Sequence, residues 1–171
     1  MSAPIPANEA ERLKALYWYE IMDTEAEEVF DDLALVASKI CQTPVALISL
    51  VGEKRQWFKA RVGMDATETS RDVSFCAHTI QEENVFEVRD AFEDYRFATN
   101  PLVLSSPNIR FYAGAPLKTE DGYGLGALCV IDYVPRELTR DQKEALWVLS
   151  RVVMNLIKQR RLLTEMVAAA D

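Results

Sequence analysis

The sequence predicts an α+β fold, in which helices from both ends of the chain cover one antiparallel sheet. Residues 110–132 alternate apolar and other side chains on both sides of Asp121-Gly122, a turn pair typical of a β-hairpin. Residues 45–51 form an almost unbroken apolar run, as expected of a central strand covered on both faces. Residues 139–167 carry apolar side chains at helical spacing without an internal Pro or Gly. Hairpin connections between the strands favour the antiparallel arrangement.

The N-terminal third predicts an arm and two helices. Residues 1–7 contain two prolines and are expected to form a flexible arm. Asn8 with Glu11, and Thr24 with Glu27, resemble capping boxes that would begin helices ending near residues 23 and 41. The apolar positions predicted to face the core are Ala10, Leu13, Tyr17 and Ile21 in the first helix and Phe30, Leu33, Ala37 and Ile40 in the second.

The middle of the chain predicts strands separated by loops. Thr43-Pro44 ends the second helix, and the central strand 45–51 follows. Residues 56–62 alternate and should form a strand, with Phe58, Ala60 and Val62 on one side. Residues 63–72 are polar and are expected to be a loop. A short helix at 74–81, a short strand ending at Asp90 and a second short helix within 94–103 are predicted to follow.

The hairpin divides its side chains between two faces. Phe111, Ala113, Ala115 and Leu117 share one face of the first strand, whereas Arg110 and Tyr112 lie on the other. One of the two faces is expected to carry the terminal helices, and the other, carrying Arg110 and Tyr112 or their neighbours, is left for a pocket. Thr139 with Gln142 predicts the start of the last helix.

Composition limits the function classes. A chain of 171 residues favours a single domain. The net charge of −8 argues against a nucleic-acid partner and against docking on anionic lipid. Three cysteines within apolar or structured stretches fit a reducing compartment. The N-terminus lacks the pattern of a signal peptide, and no apolar run of about 20 residues is present to span a bilayer. We therefore expect a cytoplasmic protein.

Several segments, taken in order, resemble a GAF domain, the small-molecule sensor module related to PAS domains. They are FDDLALVASKI, PVALISLV, RQWFKARVG, SFCAHTI, DYRFATNPLV, RFYAGAPL and LGALCVID followed by PRELTRDQ. The resemblance spans residues 11–161 and is strongest to GAF domains of bacterial sensor histidine kinases and diguanylate cyclases. It implies a single GAF domain with a sheet of about six strands. The N- and C-terminal helices would cover one face, and short helices would roof a pocket on the other.

The only thiol near the sole histidine is in Cys76-Ala77-His78. Phytochrome-type GAF domains attach a bilin through an adjacent Cys-His pair, but here one residue intervenes. A structural cysteine beside a hydrogen-bonded histidine is the favoured interpretation. Another GAF branch reduces free methionine sulfoxide with loop cysteines, which keeps a redox enzyme using Cys76 as an alternative. The sequence supports no haem, bilin or metal.

The best polar set around the predicted pocket consists of Asp90, Arg96, Asn100, Arg110 and Tyr112. The two arginines could hold an anionic ligand, and Tyr112 and Asn100 could orient it. The alternative is structural, with Asp90 paired to Arg96 across a loop and Arg110 tying down residues 97–103. With Cys76 and His78, these residues are the candidate ligand-binding set.

The last helix predicts a dimer interface. Leu149, Val152, Leu156, Leu163 and Met166 follow the 4-3 spacing of a coiled-coil seam that Gln159 interrupts. A second stripe, Leu146, Val153 and Ile157, lies beside it. One stripe can cover the sheet and the other can meet a partner helix, although both could pack within one domain.

The sequence therefore predicts a sensory or regulatory GAF domain, and not an enzyme. It would bind a small molecule or a partner and signal through the terminal helices of a homodimer. Two alternatives stay open: the redox enzyme using Cys76, and a ligand-free dimerisation module with a filled core. Whether the chain acts alone or is part of a kinase or cyclase also stays open.

Overall fold

A computed structural model describes residues 1–170 and confirms the α+β class. Six strands form one antiparallel sheet in the order β3-β2-β1-β6-β5-β4. The strands are β1 (Val45–Val51), β2 (Arg55–Val62), β3 (Glu68–Ser70), β4 (Phe86–Val88), β5 (Phe111–Lys118) and β6 (Gly124–Asp132). β1 and β6 pair at the centre of the sheet, so the long apolar run 45–51 is buried on both faces.

Three long helices cover one face and two short ones lie over the other. The helices are α1 (Glu9–Trp18), α2 (Glu28–Cys41), α3 (Cys76–Thr79), α4 (Pro101–Leu104) and α5 (Arg140–Ala170). α5 begins at the predicted capping box, since the backbone amide of Gln142 donates to Thr139 Oγ1 and the amide of Thr139 donates to Gln142 Oε1. α2 ends at Cys41, and the following residue, Gln42, adopts left-handed φ (56°).

The two faces of the sheet carry separate cores. Phe111, Ala113, Ala115 and Leu117 pack with Leu128 and Val130 under α1, α2 and α5. Tyr112, Cys129 and Ile131 point the other way and pack with Phe75 and Phe97 beneath α3 and α4. The predicted division of the hairpin is therefore confirmed.

A bulge in β2 overturns the predicted faces of that strand. Ile48 faces Ala60 across β1 and β2, but the next residue, Ser49, faces Phe58, which leaves Lys59 as the extra residue. Phe58 consequently packs on the cavity side, whereas Trp57 and Ala60 pack under the helices. The loop predicted over 63–72 was also partly wrong, because it contains β3 and the 3-10 turn Arg71–Val73.

The first two helices differ from the prediction in how they begin and in which residues they bury. Neither Asn8 nor Glu27, which precede α1 and α2, makes a side-chain cap. In α1 the buried positions are Arg12 and Leu16, while Tyr17 is exposed and Ile21 lies beyond the helix. In α2 Phe30 and Ala37 are buried as expected, but Ile40 is exposed.

Ion pairs explain why charged side chains occupy this core. Glu9 contacts both Arg12 (2.9 Å) and Arg71 (2.5 Å), and Arg12 also donates to the carbonyl of Gly124. This allows a guanidinium to occupy a core position of α1, because a buried charge is tolerated when it is paired and hydrogen-bonded. The buried Lys59 ammonium likewise contacts Glu27 (2.6 Å) at the start of α2.

The arm of residues 1–7 crosses the roof side of the domain. The amino group of Met1 donates to the carbonyl of Arg96, and Gln81 donates to the carbonyl of Pro4. Ala3 packs against the cavity-side core. No helix within residues 1–170 is both long and apolar enough to cross a bilayer.

Candidate functional site

A cavity of about 340 Å³ lies between the sheet and the loops on the face opposite α5. Its floor comes from β1, β2, β5 and β6, and its roof from the start of α3, the loop 63–67 with β3, and the segment around α4. Large apolar side chains supply most of the wall: Leu47, Phe58, Phe75, Leu102, Ile109 and Ile131. Such a concave, mainly apolar space is the ordinary form of a small-molecule site.

The cavity contains few charges. Among its lining residues in the described chain, Asp65 is the one carboxylate, and none is Lys, Arg or His. The guanidinium of Arg61 binds the backbone carbonyls of Met64 and Asp65 from outside and shapes the loop. The site therefore offers no cation to hold a phosphate or another anion.

The side-chain amide of Gln56 in the wall already has partners. Gln56 Oε1 accepts from Ser49 (3.0 Å) and Ser74 (2.7 Å), and Gln56 Nε2 donates to Thr69 Oγ1 (2.7 Å). This network joins β1, β2, β3 and the start of the roof. Because the amide is already satisfied, a ligand gains little by bonding to it, and the network serves mainly to hold the wall.

Two thiols and a phenol come together where the floor of the cavity meets its roof. Cys76 Sγ lies 3.2 Å from Tyr112 Oη and 3.8 Å from Cys129 Sγ, and Tyr112 Oη bonds to Thr79 Oγ1 at 2.7 Å. Cys76, Tyr112 and Cys129 all line the cavity. The sequence placed Cys76 and Tyr112 near the pocket but gave no sign of this pairing, since Cys129 lies 53 residues further along the chain.

The environment shifts the pKa values of these three groups in different directions. Burial raises the pKa of the Cys76 thiol, but hydrogen bonds with Cys129, Tyr112 and Ser49 outweigh burial and leave that pKa below its ordinary value. The contact with Cys76, together with burial, raises the pKa of Cys129. Burial and the two neighbouring thiols raise the pKa of Tyr112, which stays a neutral phenol.

The other five predicted ligand residues lie outside the cavity wall. The His78 ring stands edge-on to Phe97 (4.7 Å), and burial lowers its pKa. Asp90 accepts from the backbone amide of Phe92 and lines a shallow surface depression instead. Asn100 caps α4 at Leu102 and donates to the carbonyl of Val73.

The two arginines of that set also have structural partners. Arg96 pairs with Asp94 (2.7 Å) rather than Asp90, and its guanidinium stacks over the Phe86 ring (4.9 Å). Arg110 donates to the carbonyls of Val103 and Ile109, and so ties down the segment that contains α4. Both guanidinium groups therefore hold the roof from outside. Within residues 1–170, no three His, Cys, Asp or Glu side chains gather as metal ligands.

The structure also separates the two stripes of α5. Leu146, Val153 and Ile157 are buried against the sheet and α2. The other stripe is partly buried at Leu149 and Leu156 and exposed at Val152, Leu163 (61%) and Met166 (67%). An exposed apolar row on α2, formed by Val29, Val36 and Ile40, runs beside it. A groove between the two helices is lined by Val29, Leu156 and Leu163.

Comparison with known proteins agrees with this architecture. The family model for the GAF domain matches residues 25–157. The chain belongs to the GAF domain family. Its relatives include a cyclic di-GMP phosphodiesterase of Pseudomonas aeruginosa, to which it is 47% identical over 133 residues. That match covers 78% of this chain but 23% of the phosphodiesterase, so this GAF domain corresponds to about a quarter of that protein.

Solved structures share the GAF fold at low identity. The GAF domain of an Acinetobacter phosphoenolpyruvate-protein phosphotransferase superposes with a TM-score of 0.65 at 16% identity, covering 91% of this chain and 96% of that one. A bacteriophytochrome chromophore-binding domain from R. palustris gives 0.59 at 11% identity, with 92% and 64% covered. A free methionine-R-sulfoxide reductase from Thermoplasma acidophilum gives 0.56 at 10%, with 77% and 96% covered. These likenesses concern the fold.

Proposed function

We propose that this GAF domain is a sensory module that binds a small uncharged, mainly apolar molecule in its cavity and signals through a homodimer of its terminal helices. The observation that carries the proposal is that the cavity and α5 lie on opposite faces of the same two strands, β5 and β6. A change on one face therefore has a direct mechanical path to the other.

The cavity wall supports the class of ligand. Apolar and aromatic side chains dominate it, its polar amide is already bonded, and no lining residue of the described chain is cationic. An anion would lose its hydration without gaining a counter-charge, which is costly in a low-dielectric site. A neutral molecule with a large apolar surface meets no such cost. Cys76 and Tyr112 are the members of the predicted ligand set that would touch it.

Alternation along β5 supports the path of the signal. Tyr112 faces the cavity, and its neighbours Phe111 and Ala113 pack under the helices, where they meet α5 residues such as Val153. Because packed interiors deform little, a ligand that moves Tyr112 or the roof shifts the strand that supports α5. Binding would then favour one of two arrangements of the helix pair.

The exposed stripe of α5 supports a second copy as the partner. Leu149, Val152, Leu156, Leu163 and Met166 keep the heptad spacing along α5. Leu163 and Met166 lie beyond Ile157, the last buried residue of the helix, and are exposed. Gln159 occupies one seam position, and in a parallel pair it would meet its own copy, which fixes the register of a coiled coil. The apolar row on α2 would widen this interface.

The sequence relative suggests the pathway. A 47% identical GAF region within a cyclic di-GMP phosphodiesterase supports a role in regulating the turnover of that second messenger in the cytoplasm. The GAF domain would supply the sensory input, and a catalytic domain would supply the output.

Native mass spectrometry of freshly purified protein and light scattering over a dilution series test the proposal. We expect a retained non-protein mass of a neutral organic molecule and a dimer. Val152→Glu should convert the dimer to a monomer, because it places a carboxylate in the seam. The matched control Arg151→Glu puts the same group on the exposed neighbouring position and should leave the dimer intact. A monomer at every concentration, unchanged by the retained compound, would contradict dimer signalling.

The redox alternative is favoured by a single observation, the presence of two thiols in the cavity wall. If the domain is an enzyme of this kind, it should reduce free methionine sulfoxide with dithiothreitol as electron donor, and Cys76→Ala should abolish turnover. Wild-type protein without turnover would exclude it. The remaining alternative, a ligand-free dimerisation module, predicts a dimer whose native mass equals that of the polypeptide.

A further inference from the structure

Ligand binding and dimer signalling make no use of the contact between the two thiols of the cavity wall. Cys76 begins the four-residue helix α3, and Cys129 lies in the central strand β6. Their sulfur atoms are 3.8 Å apart, and both residues are almost completely buried from bulk solvent yet line the cavity. We propose that Cys76 and Cys129 form a reversible disulfide when a small hydroperoxide enters the cavity.

The geometry brings the two atoms within reach of a bond. A disulfide needs an S–S distance of about 2.05 Å, so the sulfur atoms must approach by nearly 2 Å. Rotation of the side chains and a small movement of α3 can supply this, because α3 is one short turn between loops while β6 is held on both sides by β1 and β5. The carbonyl of Ile80, the residue after α3, already lies against Gly124 of β6.

The chemistry balances in two steps. The Cys76 thiolate attacks one oxygen of the hydroperoxide, the O–O bond breaks, and the alkoxide leaves with the proton that Cys76 gave up. Cys76 is then a sulfenic acid. The Cys129 sulfur attacks the sulfur of this acid, the S–S bond forms, the S–O bond breaks, and hydroxide takes the Cys129 proton and leaves as water. Two thiols lose two electrons, and the hydroperoxide becomes an alcohol and water.

The surroundings assign the first step to Cys76. Tyr112 Oη lies 3.2 Å from its sulfur and can hydrogen-bond to the thiolate. Cys129 lies in direct contact with Cys76, which is the position of a resolving thiol. A small oxidant fits the cavity of about 340 Å³ that both thiols line.

The third cysteine provides a control within the same chain. Cys41 ends α2 in the helix-side core, away from the cavity and from both other thiols. Burial raises the pKa of its thiol to about 11, so little thiolate is present there. Cys41 should therefore stay reduced under conditions that oxidise the pair.

The test treats the reduced protein with hydrogen peroxide at low protein concentration and then alkylates the remaining thiols in denaturant. We expect the intact mass to lose two hydrogen atoms and to carry one alkyl group instead of three. Peptide mapping should join the Cys76 peptide to the Cys129 peptide, and dithiothreitol should restore three free thiols. Cys41→Ala should behave like wild type, whereas Cys129→Ser should stop at an oxidised Cys76 without a link.

Two results would overturn the proposal. One is three free thiols after prolonged treatment with excess peroxide. The other is oxidation of Cys76 to sulfinic or sulfonic acid in wild-type protein with no link to Cys129. Both results are measured on the wild-type protein, so the test does not depend on whether a variant folds. The outcome is also independent of whether the protein forms a dimer.

Discussion

The two faces of the sheet are built from the same strands but are packed for different purposes. Under α1, α2 and α5 the side chains fill the space, and the charges within it are paired, as in the cluster of Glu9, Arg12 and Arg71. Beneath α3 and α4 the side chains are larger and more aromatic, yet a cavity of about 340 Å³ remains. One face therefore provides stability, and the other keeps space at some cost in stability.

The difference also separates the thiols. Cys41 lies in the filled face, where burial makes it unreactive, whereas Cys76 and Cys129 lie beside the cavity in contact with each other. The same division separates the arginines, since Arg12 and Arg71 anchor α1 and Arg96 and Arg110 hold the roof. Matched substitutions on the two faces can measure how much they differ in packing and in their contribution to stability.

The largest expected effect is the loss of packing in the filled face. Ile48→Ala should lower the free energy of unfolding by about 4 kcal/mol, because a fully buried position leaves a new void. Ile131→Ala, on the cavity side, should cost about 2 kcal/mol, since its neighbours already border empty space. Urea denaturation measures both. Equal costs would show that the cavity face is as tightly packed as the other.

The next effect is the loss of the ion cluster that anchors α1. Burial raises the pKa of Glu9, but the hydrogen bonds and charges of Arg12 and Arg71 outweigh it and bring the pKa down from 4.5 to about 2. Its contribution is therefore complete above pH 4.5 and is lost as the pH falls towards 2. Glu9→Gln should cost about 2–3 kcal/mol at pH 7 and flatten the acid limb of the stability profile.

The control for this prediction is Glu11→Gln, on the exposed side of the same helix. It should change stability by less than about 0.5 kcal/mol. If Glu9→Gln keeps the wild-type loss of stability below pH 4.5, another carboxylate is responsible for it.

Enlarging a side chain should also distinguish the two faces, because the filled core has no room for the added atoms and the cavity does. Leu128→Phe enlarges a side chain in the filled core and should cost about 1–3 kcal/mol. Leu47→Phe directs the same added volume into the cavity and should change stability by less than about 1 kcal/mol while displacing any retained small molecule. Thermal denaturation and native mass spectrometry are the two measurements. A strongly destabilised Leu47→Phe protein would show that the cavity has no room for the phenyl ring.

The smallest expected effect concerns the phenol of the thiol cluster. Tyr112→Phe removes hydrogen bonds to Thr79 and Cys76 and should cost about 1 kcal/mol. It should also slow alkylation of Cys76 by iodoacetamide, because the thiolate loses a donor, and leave alkylation of Cys41 unchanged. An unchanged Cys76 rate would mean that Tyr112 does not stabilise the thiolate.

Local patterns by themselves determined much of the fold. The alternation of β5 placed Phe111 and Tyr112 on opposite faces of the sheet, and the Thr139–Gln142 pair marked the start of α5. The segments that resemble a GAF domain predicted the fold class and the family. These features depend on residues a few positions apart, whose spacing directly sets which side of a helix or strand they occupy.

Only the tertiary structure determined the contacts between residues that lie far apart in the chain. The bulge at Lys59 reverses part of β2, and nothing in the alternation of 56–62 marks the extra residue. The partners of Arg96 and Arg110 depend on how the segments around α4 fold back, so residue type alone suggested an anion site that the cavity wall lacks. The contact between Cys76 and Cys129 exists because β6 pairs with β1 and α3 packs over that pair, a consequence of sheet order that no local spacing encodes.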